Sequence, residues 1–367
     1  MRTRGLRVAI VHDWLNQSGG AEGVLEVLKE LYPEAPIYTS IYWPEAMPEV
    51  YREWDIRTSW LNRLPLIKTH HQPFLPLYPL AFEGFDLRGY DVVLSNKSAF
   101  CHGVITPAET IHICYCLTPT RFLWDYHNYI RHERVNPLAA SLLSPILRNL
   151  RLWDKAAADR VEHFVAISEG VRRRIQKFYR RDAVVIHPPV DVRRFQPHEG
   201  HEEYFLIVSR LIPYKRIDLA VEVFNRLGLP LKVVGDGRDR RRLQEMANSN
   251  IEFLGRLPDR QVEQYLSRCK AFVFPGEEDF GIAPLEAQAA GRPVIAYAAG
   301  GALETVLEGE TGLFFREQTA DSLVETVSAF KAGDFDSAKI RRHADGFDKD
   351  TFKNKMRAYI DEKLGRR

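Results

Sequence analysis

Apolar residues come in short runs along this chain, and between the runs they recur at helical spacing. Residues 6–12 form the first run. A polar stretch with Gly19-Gly20 follows, then Val24, Leu25, Val27, Leu28 and Leu31, a helical stripe. That order, strand, glycine-bearing loop and helix, is the first unit of a doubly wound parallel sheet. Further apolar runs at 90–96, 111–116 and 164–167 predict more buried strands. Leu142, Leu143, Ile146, Leu147, Leu150 and Trp153 predict a packed face on a helix over 138–158. Residues 36–89, rich in Pro, Trp, Tyr and His, show no clear period.

The polar run 196–203 carries both Pro and Gly without apolar periodicity and is a linker candidate. After it the alternation resumes: strands at 204–208, 231–234, 251–255, 271–274, 293–297 and 312–315, with helices at 218–224, 259–266, 285–290, 321–330 and 349–363. The expected organisation is therefore two α/β domains, 1–195 and 196–345, with 346–367 as a closing helix.

Composition changes this picture little. With 367 residues, 45% hydrophobic and 27% charged, the chain can build two cores. A net charge of +2 gives no support to wholesale nucleic-acid binding. No run of about 18 apolar residues predicts a membrane span. The N-terminal apolar run reads as a strand rather than a signal peptide. Cys101, Cys114, Cys116 and Cys269 show no metal or disulfide spacing, which fits reduced thiols in the cytoplasm. No Asp-x-Asp pair stands out, so no metal site is expected.

Candidate chemistry concentrates at 273–291, VFPGEEDFGIAPLEAQAAG. A strand ends at Pro275-Gly276, an acidic loop follows, and Gly281 precedes a helix with Pro284 in its first turn and Gly291 as a left-handed stop. A helix start after a glycine suits an anion. Glu278 and Glu286 flank it, placed to accept hydrogen bonds from sugar hydroxyls. Arg210 and Lys215 follow the strand at 204–208, where a guanidinium fork and an ammonium suit a diphosphate. Either alone could be a structural ion pair, and an acid near a helix start can simply favour the dipole.

The string EDFGIAPLE, from Glu278 to Glu286, resembles the Glu–x7–Glu motif of retaining, GT-B-fold glycosyltransferases of family 4. Gly300-Gly301 with Glu304-Thr305-Val306 resembles that family's next turn, and YCLTPTRFLWD at 115–125 resembles a motif of its bacterial mannosyltransferases of O-antigen and surface-polysaccharide synthesis. The resemblance implies two Rossmann-like domains facing a cleft, with the last helix crossing back to the first. It implies transfer of a hexose, mannose from GDP-mannose, to a saccharide or lipid-linked saccharide, with no cofactor and no metal. Arg210, Lys215 and Glu278 become catalytic candidates. Gly19, Gly20, Phe280, Gly281, Ile282 and Glu286 become donor-binding candidates, with Glu286 on the ribose. Arg121 and Asp125 become acceptor candidates.

One position departs from the pattern. Many members carry His before Thr-Pro, and here that position is Leu117. His12, His102 and His127 are conceivable stand-ins. The basic, aromatic segment 57–83 suggests peripheral contact with the inner membrane face or with a lipid-linked acceptor, or else a Pro-rich wrap over the core. Two rival readings stand beside transfer: a nucleotide-sugar epimerase or hydrolase on the same fold, and a nucleotide-sugar-binding protein without turnover.

Overall fold

A computed structural model describes residues 5–17, 19–125 and 137–365, with backbone alone over 137–142. The chain divides into two units, one of residues 1–187 with 353–367 and one of residues 188–352. Residues 188–195, expected with the first domain, thus group with the second unit. There Arg341 donates to Val192 O, and Val190 N donates to Phe347 O at 2.9 Å.

The first unit is built on seven parallel strands in the order β3-β2-β1-β4-β5-β6-β7. Their ranges are Val8–His12 (β1), Ile37–Thr39 (β2), Ile56–Thr58 (β3), Val92–Lys97 (β4), Ile111–Cys116 (β5), His163–Ala166 (β6) and Ala183–Val185 (β7). β1 and β4 are buried throughout, as central strands of a parallel sheet covered on both faces are, even though β4 ends in Ser95, Asn96 and Lys97. The helix Gly20–Leu31 buries Val24, Leu25, Val27, Leu28 and Leu31, the stripe expected from the sequence. Residues 36–89 are not wholly irregular: β2 and β3 lie within them, three residues each. Ala9, Val11, Phe82, Val93 and Phe100 anchor one core face, and Leu147 and Leu150 of the helix Pro137–Asp159 join it. Lys353 pairs with Glu30 at 3.1 Å, and Tyr359 meets the edge of His163.

The second unit has six parallel strands in the order β10-β9-β8-β11-β12-β13. They span Phe205–Val208 (β8), Leu231–Val234 (β9), Ile251–Gly255 (β10), Ala271–Phe274 (β11), Val294–Tyr297 (β12) and Gly312–Phe315 (β13). Its core joins Phe205, Ile207, Val221, Phe224, Val233, Val273 and Ile295, all buried. The four cysteines are free thiols, fully buried. No described helix is long and apolar enough to cross a membrane.

In each sheet the winding reverses once, between β1 and β4 in the first and between β8 and β11 in the second. An open α/β sheet leaves a crevice beyond the carboxyl ends of its strands at such a point, where ligands bind. Both reversals therefore locate the places to look.

Candidate functional site

At the reversal of the second sheet, β8 leads into Ser209 and Arg210, then a turn at Pro213–Lys215. β11 leads into Pro275, Gly276, Glu277 and Glu278. Tight backbone packing brings these loops together. A Cβ on Gly276 would lie 2.8 Å from Lys215 O, so only glycine lets the two strands' exits run side by side. From the β12 side, Gly301 N donates to Glu278 O at 2.9 Å, and a Cβ on Gly301 would meet Phe280 Cα at 2.2 Å.

Across this junction Lys215 Nζ and Glu278 Oε1 form an ion pair, with the lysine 12% and the glutamate 22% exposed. Arg210 is exposed, and its guanidinium has no hydrogen-bond or ion-pair partner among the described residues. With Lys215 matched by Glu278, the positive charge left over on the β8 exit is that of Arg210. Gly281 adopts φ 89° and caps the helix Ile282–Ala289. That helix begins three residues earlier than its apolar pattern suggested, with Pro284 in the first turn and Gly291 left-handed at φ 75°. Phe280 is buried and Ile282 half-buried beside the helix start. Lys215, Glu278, Phe280, Gly281 and Ile282 are thus brought to one junction, and Arg210 lies on the same β8 exit.

Glu286, one turn further, is held by a residue that sequence reasoning missed. Arg194 lies 3.4 Å from Glu286 Oε1, 3.1 Å from Glu263 Oε1 and 3.4 Å from Asp259 Oδ2. Burial pushes the Glu286 carboxyl above its ordinary value, and Arg194 opposes that push. Arg194 sits in a basic pair before the linker and carries no local signal that sets it apart from a surface arginine.

At the reversal of the first sheet, Gly19 and Gly20 are exposed, Gly19 extended and Gly20 opening the helix Gly20–Leu31. Asn96 Nδ2, at the end of β4, donates to Ala21 O at 2.8 Å and lies 3.2 Å from His12 Nδ1. His12 Nδ1 then accepts, which leaves Nε2–H to donate to Glu22 Oε1 at 3.3 Å. His12 is 1% exposed. It anchors the glycine loop from behind and cannot stand in for a histidine at Leu117. His102 is also excluded: it is fully buried, with Nε2 3.2 Å from Asp154 O, and burial pushes its pKa well down. His127 lies outside the described residues. His12 and His102 are both buried residues with hydrogen-bond partners inside the fold.

Beyond β5, Leu117 is half-buried, and its N–H donates to Lys97 O at 2.8 Å. Arg121 opens the short helix Arg121–Trp124, and exposed Asp125 caps it, its N–H donating to Arg121 O at 2.8 Å. Gly19, Gly20, Arg121 and Asp125 therefore belong to the first unit, and the remaining candidates to the second.

Two family models together match residues 18–345. "Glycosyltransferase Family 4" matches residues 18–194, and "Glycosyl transferases group 1" matches residues 191–345. Solved two-domain structures agree over nearly the whole length. Anabaena HepE, in complex with UDP, superposes with a TM-score of 0.72 at 16% identity, covering 97% of this chain and 100% of that one. Sucrose-phosphate synthase of Thermosynechococcus elongatus gives 0.74 at 17%, covering 98% and 100%. The chain is of the GT-B, group 1/family 4 glycosyltransferase type.

Among curated relatives, this glycosyltransferase-type chain is 26% identical over 182 residues to an uncharacterized glycosyltransferase of Methanocaldococcus jannaschii, covering 48% of this chain and 52% of that protein. It is 31% identical over 199 residues to the GDP-mannose-dependent monoacylated alpha-(1-6)-phosphatidylinositol monomannoside mannosyltransferase of Corynebacterium glutamicum, covering 46% and 52%. The chain spans about half the length of these curated relatives.

Proposed function

We propose that the chain transfers mannose from GDP-mannose to a hydroxyl of a saccharide, lipid-linked, with retention at the anomeric carbon, in bacterial surface-polysaccharide synthesis. The observation that carries this reading is the junction at the β8/β11 reversal. Arg210, Lys215 and the helix start after Gly281 supply positive charge where a leaving diphosphate would develop negative charge. Glu278, with the backbone at Phe280 and Gly281 and the side of Ile282, takes the sugar hydroxyls, and Glu286 takes the ribose diol. Gly19 and Gly20 offer backbone open to a phosphate, and Arg121 and Asp125 meet the acceptor. Side-chain and helix charges neutralise the leaving group without a metal ion or other cofactor.

The guanine and mannose assignments are supported by relatives named as GDP-mannose-dependent, at 28–34% identity over 34–46% of this chain. Exposed Trp60 and Leu66 beside Arg63 and Lys68 support contact with the cytoplasmic face of the membrane, where a lipid-linked acceptor would sit.

Thermal-shift measurements with GDP-, UDP-, ADP- and dTDP-sugars test the donor. Transfer from GDP-mannose to extracted lipid-linked saccharides, with the product anomer read by NMR, tests the reaction. Stabilisation by a different nucleotide overturns the donor assignment, and an inverted product overturns retention. Leu117 favours one second reading, binding without transfer. Stabilisation by a nucleotide sugar together with no product from any acceptor would establish it.

A further inference from the structure

The first unit carries a fully buried lysine and a fully buried aspartate that no part of the proposed reaction uses. Lys97, the last residue of β4, and Asp154, on the helix Pro137–Asp159, are each 0% exposed. Burial alone would lower the Lys97 pKa, but Asp154, then Cys116, Cys114 and Asp13, push it the other way, and the net shift is upward. Lys97 Nζ donates to Thr118 O at 3.3 Å and to Thr120 Oγ1 at 3.1 Å. Thr120 Oγ1 in turn lies 2.8 Å from Asp154 Oδ1 and 2.8 Å from Ala99 O. Asp154 Oδ2 accepts from Trp124 Nε1 at 2.7 Å and from Tyr179 O–H at 2.7 Å.

Most of these partners share one segment, 117–125, the motif that the proposed function places against the acceptor. The helices Pro137–Asp159 and Glu169–Tyr179, which carry Asp154 and Tyr179, tether the segment at further points. Arg174 Nη1 donates to Thr118 Oγ1 at 3.3 Å, Arg151 Nε donates to Leu123 O at 2.8 Å, and Trp124 stacks on Phe178 at 5.0 Å. Lys97 and Asp154 are not in direct contact; the Thr120 hydroxyl bridges them. Buried opposite charges are a poor way to gain stability, since apolar groups of equal volume serve as well or better. They do fix geometry, because each member demands its partners at defined positions.

We infer that Lys97 and Asp154 are positioning residues, which hold the segment 117–125 in one conformation so that Arg121 and Asp125 face the acceptor. The inference rests on the proposed function for the word acceptor, and on the hydrogen-bond network alone for the word positioning. Thr118, Thr120 and Trp124 of the motif act inward, on the buried pair, while Arg121 and Asp125 act outward.

Two variants and one control separate this from plain core stability. Thr120→Val removes the hydroxyl between the charges, and Trp124→Phe removes the indole N–H while keeping the stack. Tyr179→Phe removes a bond to the same carboxylate oxygen from outside the segment. Hydrogen exchange and steady-state kinetics are then measured on the full chain. In Thr120→Val and Trp124→Phe, amides of 117–125 should exchange about tenfold faster, and kcat/KM for acceptor should fall about tenfold, the size of one lost charge-assisted bond, with donor KM within about twofold. Tyr179→Phe should lower Tm without either change. Unchanged exchange at 117–125, or exchange and both KM values moving together with Tm in all three variants, overturns the inference. If the wild type transfers nothing, the proposed function fails, and the exchange arm still decides whether the pair positions the segment.

Discussion

The two sheet reversals use charge in opposite ways. Behind the first, charge is inside: Asp13, Lys97 and Asp154 are at most 1% exposed, and His12 lies against Glu22. The Asp13 carboxylate accepts from Ser98 N, Ala99 N, Phe100 N and Cys101 N at 2.6–2.7 Å, with Ser98 Oγ as a fifth donor at 2.9 Å. Beside the second reversal the core is apolar, and the charges stand at the rim: Arg210, Lys215, Glu278 and Glu286. Interior charge saturated by backbone fixes loops. Rim charge that is unpaired or singly paired can exchange its partner for a ligand. Asp13 and Asp154 of the first unit thus fix shape, while the proposed function gives Glu278 and Glu286 of the second to ligand contact.

The contrast breaks most visibly at Asp13. Asp13→Ala orphans several buried N–H groups at once, and chemical denaturation should show a loss of about 4 kcal/mol or more. A loss under about 1 kcal/mol would mean that the buried carboxylate is not the clamp described. Next is Lys215→Ala, which should lower kcat for transfer by about 10²–10³ while Tm changes little, the range for removing one preorganised charge at a leaving group. Near-unchanged turnover removes Lys215 from the reaction.

A sharper test separates the members of the rim pair. Glu278→Gln removes the counter-charge of Lys215, so free nucleoside diphosphate should bind a few-fold tighter, on the order of 1 kcal/mol, while sugar transfer falls. Titration calorimetry with GDP reads the first effect. Weaker nucleotide binding in this variant would show that the ion pair does not compete with phosphate.

The smallest effect concerns pH. The Glu286 carboxyl is raised by burial, with Arg194 opposing. A raised carboxyl holds its proton more tightly folded than unfolded, so stability falls as pH rises from the unfolded value through the folded one. Donor binding as proposed would use the ionised form and so runs the other way. Donor KM should rise on acidification while the pH is still above the ordinary carboxylate range, and Glu286→Gln should flatten that rise. A profile identical in both proteins removes Glu286 from donor binding.

Much of this architecture was legible in the residues. Continuous apolar runs marked the central strands, because strands buried on both faces need no alternation. The helix after Gly281 and its Gly291 stop were legible from turn chemistry alone. β2 and β3 were not, since three-residue strands among prolines are too short to show a period, and β3 is largely exposed. Lys97 was missed because Ser-Asn-Lys-Ser looks like a solvated turn, and its burial is set by segments far away in sequence. Asp154 left a usable trace: it falls four residues after Leu150 and seven after Leu147, on the apolar stripe itself. The tie of Arg194 to Glu286, 92 residues apart, left none.

The buried thiols have a practical consequence. Burial pushes Cys101 and Cys114 far up, and Cys269 up to about 12, so none offers thiolate to a reagent in the native fold. Slow labelling by an alkylating probe would therefore clock transient opening. Cys101, Cys114 and Cys116 belong to one unit and Cys269 to the other, so mass spectrometry of the alkylated peptides would time the breathing of each half independently.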